Sequence, residues 1–181
     1  MPDCSQRGID EMAEAKAKDA VALLKEDHRL IEDLFAQYEK ASGNGRKQKL
    51  ATDICLELSV HAAIEEEIFY PACAGKIEQD LLKEAYVEHD SAKLLIAEIM
   101  AGEPGDEFYD SKVKVLQEQI DHHVEEEEKR IEGLFSQARK AGLDMDALGT
   151  QLNRRKRELK TSYEANGIPV PRLTTMDEVS A

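Results

Sequence analysis

The stretch "SVHAAIEEEIFYP", residues 59–71, has helical spacing, yet its inward positions include His61 and, one turn later, Glu65. Residues at i and i+4 stack on one side of a helix, so this imidazole and this carboxylate point the same way. An ionised carboxylate buried without a partner costs several kcal/mol. Either Glu65 is protonated or a cation sits beside it.

The rest of the chain repeats the pattern. Periodicity and breaker residues predict helices over about 19–41, 46–74, 78–101 and 107–141, interrupted by "SGNG" (42–45), Gly75, "GEPGD" (102–106) and Gly142. A shorter fifth helix fits 144–165 with Asp144 as its cap, and "NGIPVPRLTTMDEVSA" (166–181) reads as a tail. Short loops between long helices imply antiparallel neighbours. The expected fold is all-α, an up-down-up-down four-helix bundle with an additional C-terminal helix. Residues 1–18 form a flexible N-terminal segment in this reading, 19–142 the bundle, and 143–181 the last helix and tail.

Each of the four long helices carries an inward stripe that is apolar at its ends and polar in its middle. The stripes are Val21, Leu24, His28, Ile31, Phe35 and Tyr38; then Ile54, Leu58, His61, Glu65 and Ile68. The third is Leu82, Ala85, His89, Ala92, Ile96 and Ile99, and the fourth Val113, Leu116, Ile120, His123, Glu127, Ile131 and Leu134. The chain has five histidines, and one from each of these helices faces inward. The separations His28 to His89 and His61 to His123 are 61 and 62 residues, so the bundle reads as two similar hairpins. Each contributes one His and one His-x-x-x-Glu. His122 falls about 100° around the helix from His123 and is set aside as a surface residue or one behind a ligand.

Four imidazoles and two carboxylates are too many donors for one tetrahedral zinc. They suit two octahedral-leaning ions bridged by Glu65 and Glu127, with positions left open. Nitrogen and oxygen donors without thiolate favour iron or manganese. The competing reading is a polar core without metal, since a lone inward His is usually a satisfied structural residue. Four levelled histidines with two His-x-x-x-Glu pairs weigh against it.

The ordered set "KEDHRLIEDLF" (25–35), "SVHAAIEEEIFYP", "YVEHDSA" (86–92) and "DHHVEEEE" (121–128) resembles the hemerythrin-like HHE cation-binding proteins over about residues 20–141. The resemblance implies a carboxylate-bridged non-haem di-iron centre in a four-helix bundle. It also implies a protein that binds oxygen, responds to nitric oxide or peroxide, or senses iron or oxygen. The implied metal ligands are His28, His61, Glu65, His89, His123 and Glu127. The implied cofactor is two iron ions, manganese being the alternative, with a bridging oxo or hydroxo group. Two departures stand out. Lys93 occupies the place where hemerythrins proper carry a second third-helix histidine, and Glu127 follows His123 at four residues rather than an aspartate at five. One imidazole fewer leaves an iron more open and shifts the expectation from reversible oxygen carriage toward peroxide or redox chemistry.

The expected function is therefore binding of, or response to, O2, peroxide or NO in storage, sensing or stress protection. The alternatives are a peroxide-removing, catalase-like di-iron enzyme and a metal-dependent regulatory module. Whether the chain is a dedicated enzyme stays open.

Composition narrows the classes. Lys and Arg number 24 against 38 Asp and Glu, a net charge of −14, which gives no electrostatic reason to bind nucleic acid or an anionic membrane. No apolar run approaches a membrane span and the N-terminus lacks a signal-peptide core, so a cytoplasmic location is expected. Cys4, Cys55 and Cys73 lack metal-ligand spacing and read as reduced thiols, the latter two in the core or at its boundary.

Other expectations are plainer. The glutamates 66, 67, 125, 126 and 128 are expected to form a solvated face, the alternative being to funnel cations to the site, and Phe35, Tyr38, Tyr70 and Tyr86 to pack the core, the alternative being to line the pocket or gate a radical. "RRKR" (154–157) docks on the bundle's own acidic surface. Asp27 and Asp90 are candidates for places behind the ligands. "EEEEKRIEGLF" (125–135) lacks the aromatic-Pro ending of "EEEIFYP", so the fourth helix is expected to run straight on.

Overall fold

The computed structural model describes residues 18–176. Cys4 and the segment expected at 1–18, Lys18 apart, lie outside the described residues. The described chain is helical: α1 (Ala20–Glu39), α2 (Asn44–Ile64), a π-helical turn (Glu65–Phe69), α3 (Tyr70–Cys73), α4 (Gln79–Ala101), α5 (Tyr109–Glu128), α6 (Leu134–Lys140) and α7 (Met145–Asn166). None of these helices is long and apolar enough to cross a membrane.

Asp19 caps α1 by accepting from the Ala22 N–H at 3.0 Å, and Asp144 caps α7 by accepting from Ala147 at 2.9 Å. Each cap satisfies one of the amide groups that a helix start leaves unpaired. The α1 and α4 stripes are buried throughout. The apolar ends form two clusters. One gathers Leu24, Ile64, Phe69, Leu134 and Leu152; the other Ile31, Phe35, Ile54, Ile99 and Leu116. Fully burying side chains of this size stabilises by about 1.5–3 kcal/mol each. The polar middle of the stripes sits between the clusters, held from both ends. Cys55 and Cys73 are buried free thiols, as expected, and burial pushes both up to about 12.

Two departures from regular helix decide the site. After Ile64 the backbone widens, and the Tyr70 N–H donates to the carbonyl of Glu65. Pro71 has no N–H to return to the preceding turn, and its ring crowds that turn's carbonyl, so a one-turn widening relieves both.

The second departure corrects an expectation. The fourth helix does not run to 141. It stops at Glu128, where Lys129 turns to φ −47°, ψ 129°, and restarts at Leu134. Four successive glutamates crowd the negative end of the helix dipole with no basic residue in the last turn. Gly133 lets the chain double back: a Cβ there would lie 2.5 Å from the carbonyl oxygen of Lys129. Ile131, expected on the inward stripe, is consequently 68% exposed, while Leu134 and Phe135 enter the core.

α7 lies along α1 and α2. Arg155 and Lys156 of its basic patch dock on acids of the bundle, as expected, while Arg154 and Arg157 bond within α7. Arg155 donates to Glu67 at 2.6 and 3.1 Å, Lys156 pairs with Asp27, and Lys160 pairs with Glu57.

Candidate metal centre

The six expected site residues converge. His28, His61, Glu65, His89, His123 and Glu127 are all buried, none more than 4% exposed. They form two groups sharing Glu65. One ligand atom each from His28, His61, Glu65 and Glu127 lies within 4.8 Å of all the others, and the same holds for Glu65, His89 and His123. The imidazoles meet in pairs through Nε2: His28 with His61 at 3.1 Å, and His89 with His123 at 3.1 Å. Glu65 Oε2 lies 3.2 Å from His61 Nε2 and 3.5 Å from His89 Nε2, reaching both pairs. Glu127 Oε2 likewise lies 3.4 Å from His28 Nε2 and 3.6 Å from His123 Nε2.

Behind every imidazole stands a carboxylate. His28 Nδ1 is 2.8 Å from Glu128, His89 Nδ1 is 3.0 Å from Glu66, and His123 Nδ1 is 2.7 Å from Glu88. His61 Nδ1 is 3.6 Å from Asp27 Oδ2, an ion-pair distance rather than a hydrogen bond. A neutral imidazole that donates through Nδ1 must present its lone pair at Nε2. The lone pairs of His28, His89 and His123 then face the middle.

Cations hold three of these outer carboxylates in turn. Arg29 donates to Glu128 at 2.7 Å, Lys93 lies 2.8 Å from Glu66, and Lys156 pairs with Asp27. Behind Glu88 stands exposed His122, 3.6 Å away. Glu66 and Glu128 are therefore not the solvated acids expected from sequence. Burial raises the Glu66 pKa, but His89 and Lys93 outweigh it and hold it below the usual range. His28 lowers that of Glu128. Asp27 does stand behind a ligand, though behind His61 rather than its neighbour His28. Asp90 does not: it accepts the backbone N–H groups of Thr174 and Thr175 at 2.6–3.0 Å.

Tyr70 is a site residue that sequence reasoning placed in the core, with pocket lining as the alternative. The π-helical turn carries its hydroxyl to 3.0 Å from Glu127, with Glu65 and His89 at 3.4 and 3.3 Å. Burial and both carboxylates raise its pKa well above the ordinary value. Phe135, delivered by the break after α5, stacks on His28 with ring centroids 5.7 Å apart and planes 14° from parallel.

Without a cation the centre is electrostatically unfinished. Glu65 Oε1, Glu127 Oε2 and His61 Nδ1 have no hydrogen-bond partner among the described residues despite full burial. Burial opposes a charged His61, yet Glu65 and Asp27 outweigh it and raise its pKa to about 10. Burial would raise that of Glu127, but His123 and His28 pull it down to about 2. A proton on His61 thus stands in for a cation. Paired imidazole Nε2 atoms 3.1 Å apart with two carboxylates alongside match what nitrogen-and-oxygen-ligated metal ions require, so the residues fit the group.

Comparison with known proteins agrees with this geometry. Residues 19–135 match the family model of the hemerythrin HHE cation binding domain. The crystal structure of an HHE cation binding domain-containing protein from Mycobacterium kansasii superposes with a TM-score of 0.68 at 18% identity, covering 83% of this chain and 94% of that one. A DNA nickase from a Nostoc species is 26% identical over 109 residues, 60% of this chain and 31% of that protein, so the chain spans about a third of that relative. With the family model matched over more than half of its length, the chain belongs to the hemerythrin HHE cation-binding family.

Proposed function

We propose that the chain holds two iron ions, manganese being the alternative, and binds or responds to O2, peroxide or NO in storage, sensing or stress protection. In this reading α1, α2, α4 and α5 are an antiparallel up-down-up-down bundle over 19–142, with 143–181 the added helix and tail. The observation that carries it is the inward-facing set of four Nε2 atoms, each imidazole backed by its own carboxylate. His28, His61 and Glu127 would hold one ion, His89 and His123 the other, with Glu65 between them. When bound, such a pair supplies open coordination positions and a change of oxidation state to a small oxygen or nitrogen oxide species. The chain's own residues fix the rest. Glu128, Glu66 and Glu88 keep the protons on Nδ1 of His28, His89 and His123, Asp27 faces His61 at ion-pair distance, and the Tyr70 hydroxyl holds a proton against Glu127. Ile64 and Leu24 belong to the apolar cluster that closes one end of the centre.

A second reading, a peroxide-removing enzyme, is favoured by one asymmetry. The group around His89 and His123 has one donor fewer than its partner. Where an extra imidazole would stand, Lys93 is tied to Glu66, Asp90 and the Arg172 carbonyl. The DNA nicking named for the Nostoc relative is not carried over, because a net charge of −14 repels a polyanion.

The test is to add O2, NO and hydrogen peroxide separately to the reduced, metal-loaded protein while recording its optical spectrum and any O2 released. Stoichiometric spectral change without turnover supports storage or sensing. Sustained O2 release from peroxide, lost in His61→Ala, supports the enzyme. No response to any of the three overturns both.

A further inference from the structure

A cavity of about 830 Å3 opens onto the imidazoles of the centre. A water molecule's share of liquid volume is about 30 Å3, so O2 or peroxide would fill a small fraction of it. Its size lies in the range of pockets for organic ligands.

The cavity runs along α4. On α4 it is lined by His89, Lys93, Ile96, Ala97, Met100 and Ala101, a single stripe at helical spacing. Twelve residues at ~1.5 Å each make that wall about 18 Å long. The imidazoles lie toward one end, with Tyr86 and Glu67 beyond them, and exposed Met100 and Ala101 lie at the other. Alanines 62 and 63 of α2 and alanines 92, 97 and 101 of α4 line it, and their short side chains leave room. Ile120 and Val124 line it from α5, and Ile168, Pro169 and Pro171 of the tail roof it. The tail is fixed there by the Thr174 and Thr175 amides on Asp90 and by Lys93 on the Arg172 carbonyl.

We propose that this cavity binds a straight-chain carboxylic acid of medium length, its carboxylate toward the centre and its alkyl chain along α4. The inference rests on the metal centre proposed above. Two divalent ions against the two carboxylates Glu65 and Glu127 would leave a net positive charge beside the imidazoles, with Lys93 and Arg172 offsetting Glu66 and Glu67 on the wall, and this selects an anionic oxygen head. The walls beyond it offer alanine, isoleucine, valine and proline, which select an unbranched apolar body.

The experiment is calorimetric titration of the iron-loaded, full-length chain with butyrate, octanoate and dodecanoate, alongside Ala97→Phe, which plugs the cavity midway. Each added methylene inside the cavity should tighten binding about three- to fourfold. Dodecanoate should bind at least 100-fold tighter than butyrate, and Ala97→Phe should weaken dodecanoate at least tenfold without reducing metal content. Stripping the metal should also weaken dodecanoate. Affinity independent of chain length overturns the proposal even if Ala97→Phe does not fold, and so does dodecanoate binding unchanged by metal removal. Metal content of the same sample reads the centre separately. A sample that takes up no metal defeats the metal reading, whereas a loaded sample indifferent to chain length defeats this one alone.

Discussion

The two His-x-x-x-Glu helices carry the same chemistry on different backbones. His61 and Glu65 are followed by a π-helical turn that delivers Tyr70 to the centre. His123 and Glu127 are followed by a helix end and a tight turn that deliver Phe135 onto His28. The polar set itself is duplicated almost residue for residue. The acid before each lone histidine (Asp27, Glu88) serves the His-x-x-x-Glu imidazole of its own hairpin. The acid after each Glu of the motif (Glu66, Glu128) serves the lone histidine of the opposite hairpin. Charge arrangement is kept between the halves while the apolar surroundings diverge. A buried metal centre restricts its donors to a few geometries, whereas the walls need only exclude water and fill space.

The largest effect should come from breaking that symmetry at the carboxylates. Glu65 belongs to both donor groups and Glu127 to one. Glu65→Ala should abolish metal uptake, while Glu127→Ala should leave about half, read as metal per chain by elemental analysis. Equal losses would show that the two carboxylates are equivalent despite the asymmetric grouping. Next comes the turn that only the second half has. Gly133→Ala drives a Cβ onto the Lys129 backbone at 2.5 Å and should destabilise by about 2–3 kcal/mol, lowering the Tm by about 5–10 °C. A Tm within about 1 °C of the parent would mean that the turn relaxes without strain.

The outer carboxylates sharpen the comparison further. Glu66→Gln and Glu128→Gln remove equivalent partners of His89 and His28, and each should cut metal affinity about 10–100-fold. A competition assay with a chelator reads both, and a large inequality would break the equivalence of the hairpins.

The same charges set a pH dependence. The His61 pKa is raised to about 10 in the metal-free protein, so its stabilising charge is fully present below about 6.5 and is lost as pH rises through about 10. Glu127, depressed to about 2, contributes above about 4.5 and loses its contribution as pH falls through about 2. The metal-free chain should therefore melt lower at pH 9–10 than at pH 6, by thermal unfolding. Metal retention should run the other way, falling on acidification as protons compete for the imidazoles.

Much of this was readable in the sequence, for a physical reason. A stripe such as Leu58, His61, Glu65 obeys one helical period, and a polar break in it is visible without any partner. Cross-helix relations are not. Glu66 and Glu128 lie in runs of glutamate, and only the packing shows that each turns toward the opposite hairpin. The end of α5 was missed because no proline marks it. Repulsion among Glu125–Glu128 and the close approach permitted by Gly133 stop the helix instead. Spacing alone leaves Tyr70 between core packing and pocket lining, and the widened turn before Pro71 carries its hydroxyl to Glu127. The tail has no periodicity to read, and its place over the cavity depends on Asp90 of α4.

The central claim is a redox-active pair of metal ions held by His28, His61, Glu65, His89, His123 and Glu127. The most direct measurement is iron and manganese content of protein purified in air, with the optical spectrum taken before and after dithionite. The account predicts about two irons per chain and near-ultraviolet bands that bleach on reduction. No metal, zinc alone, or a single ion per chain would contradict it.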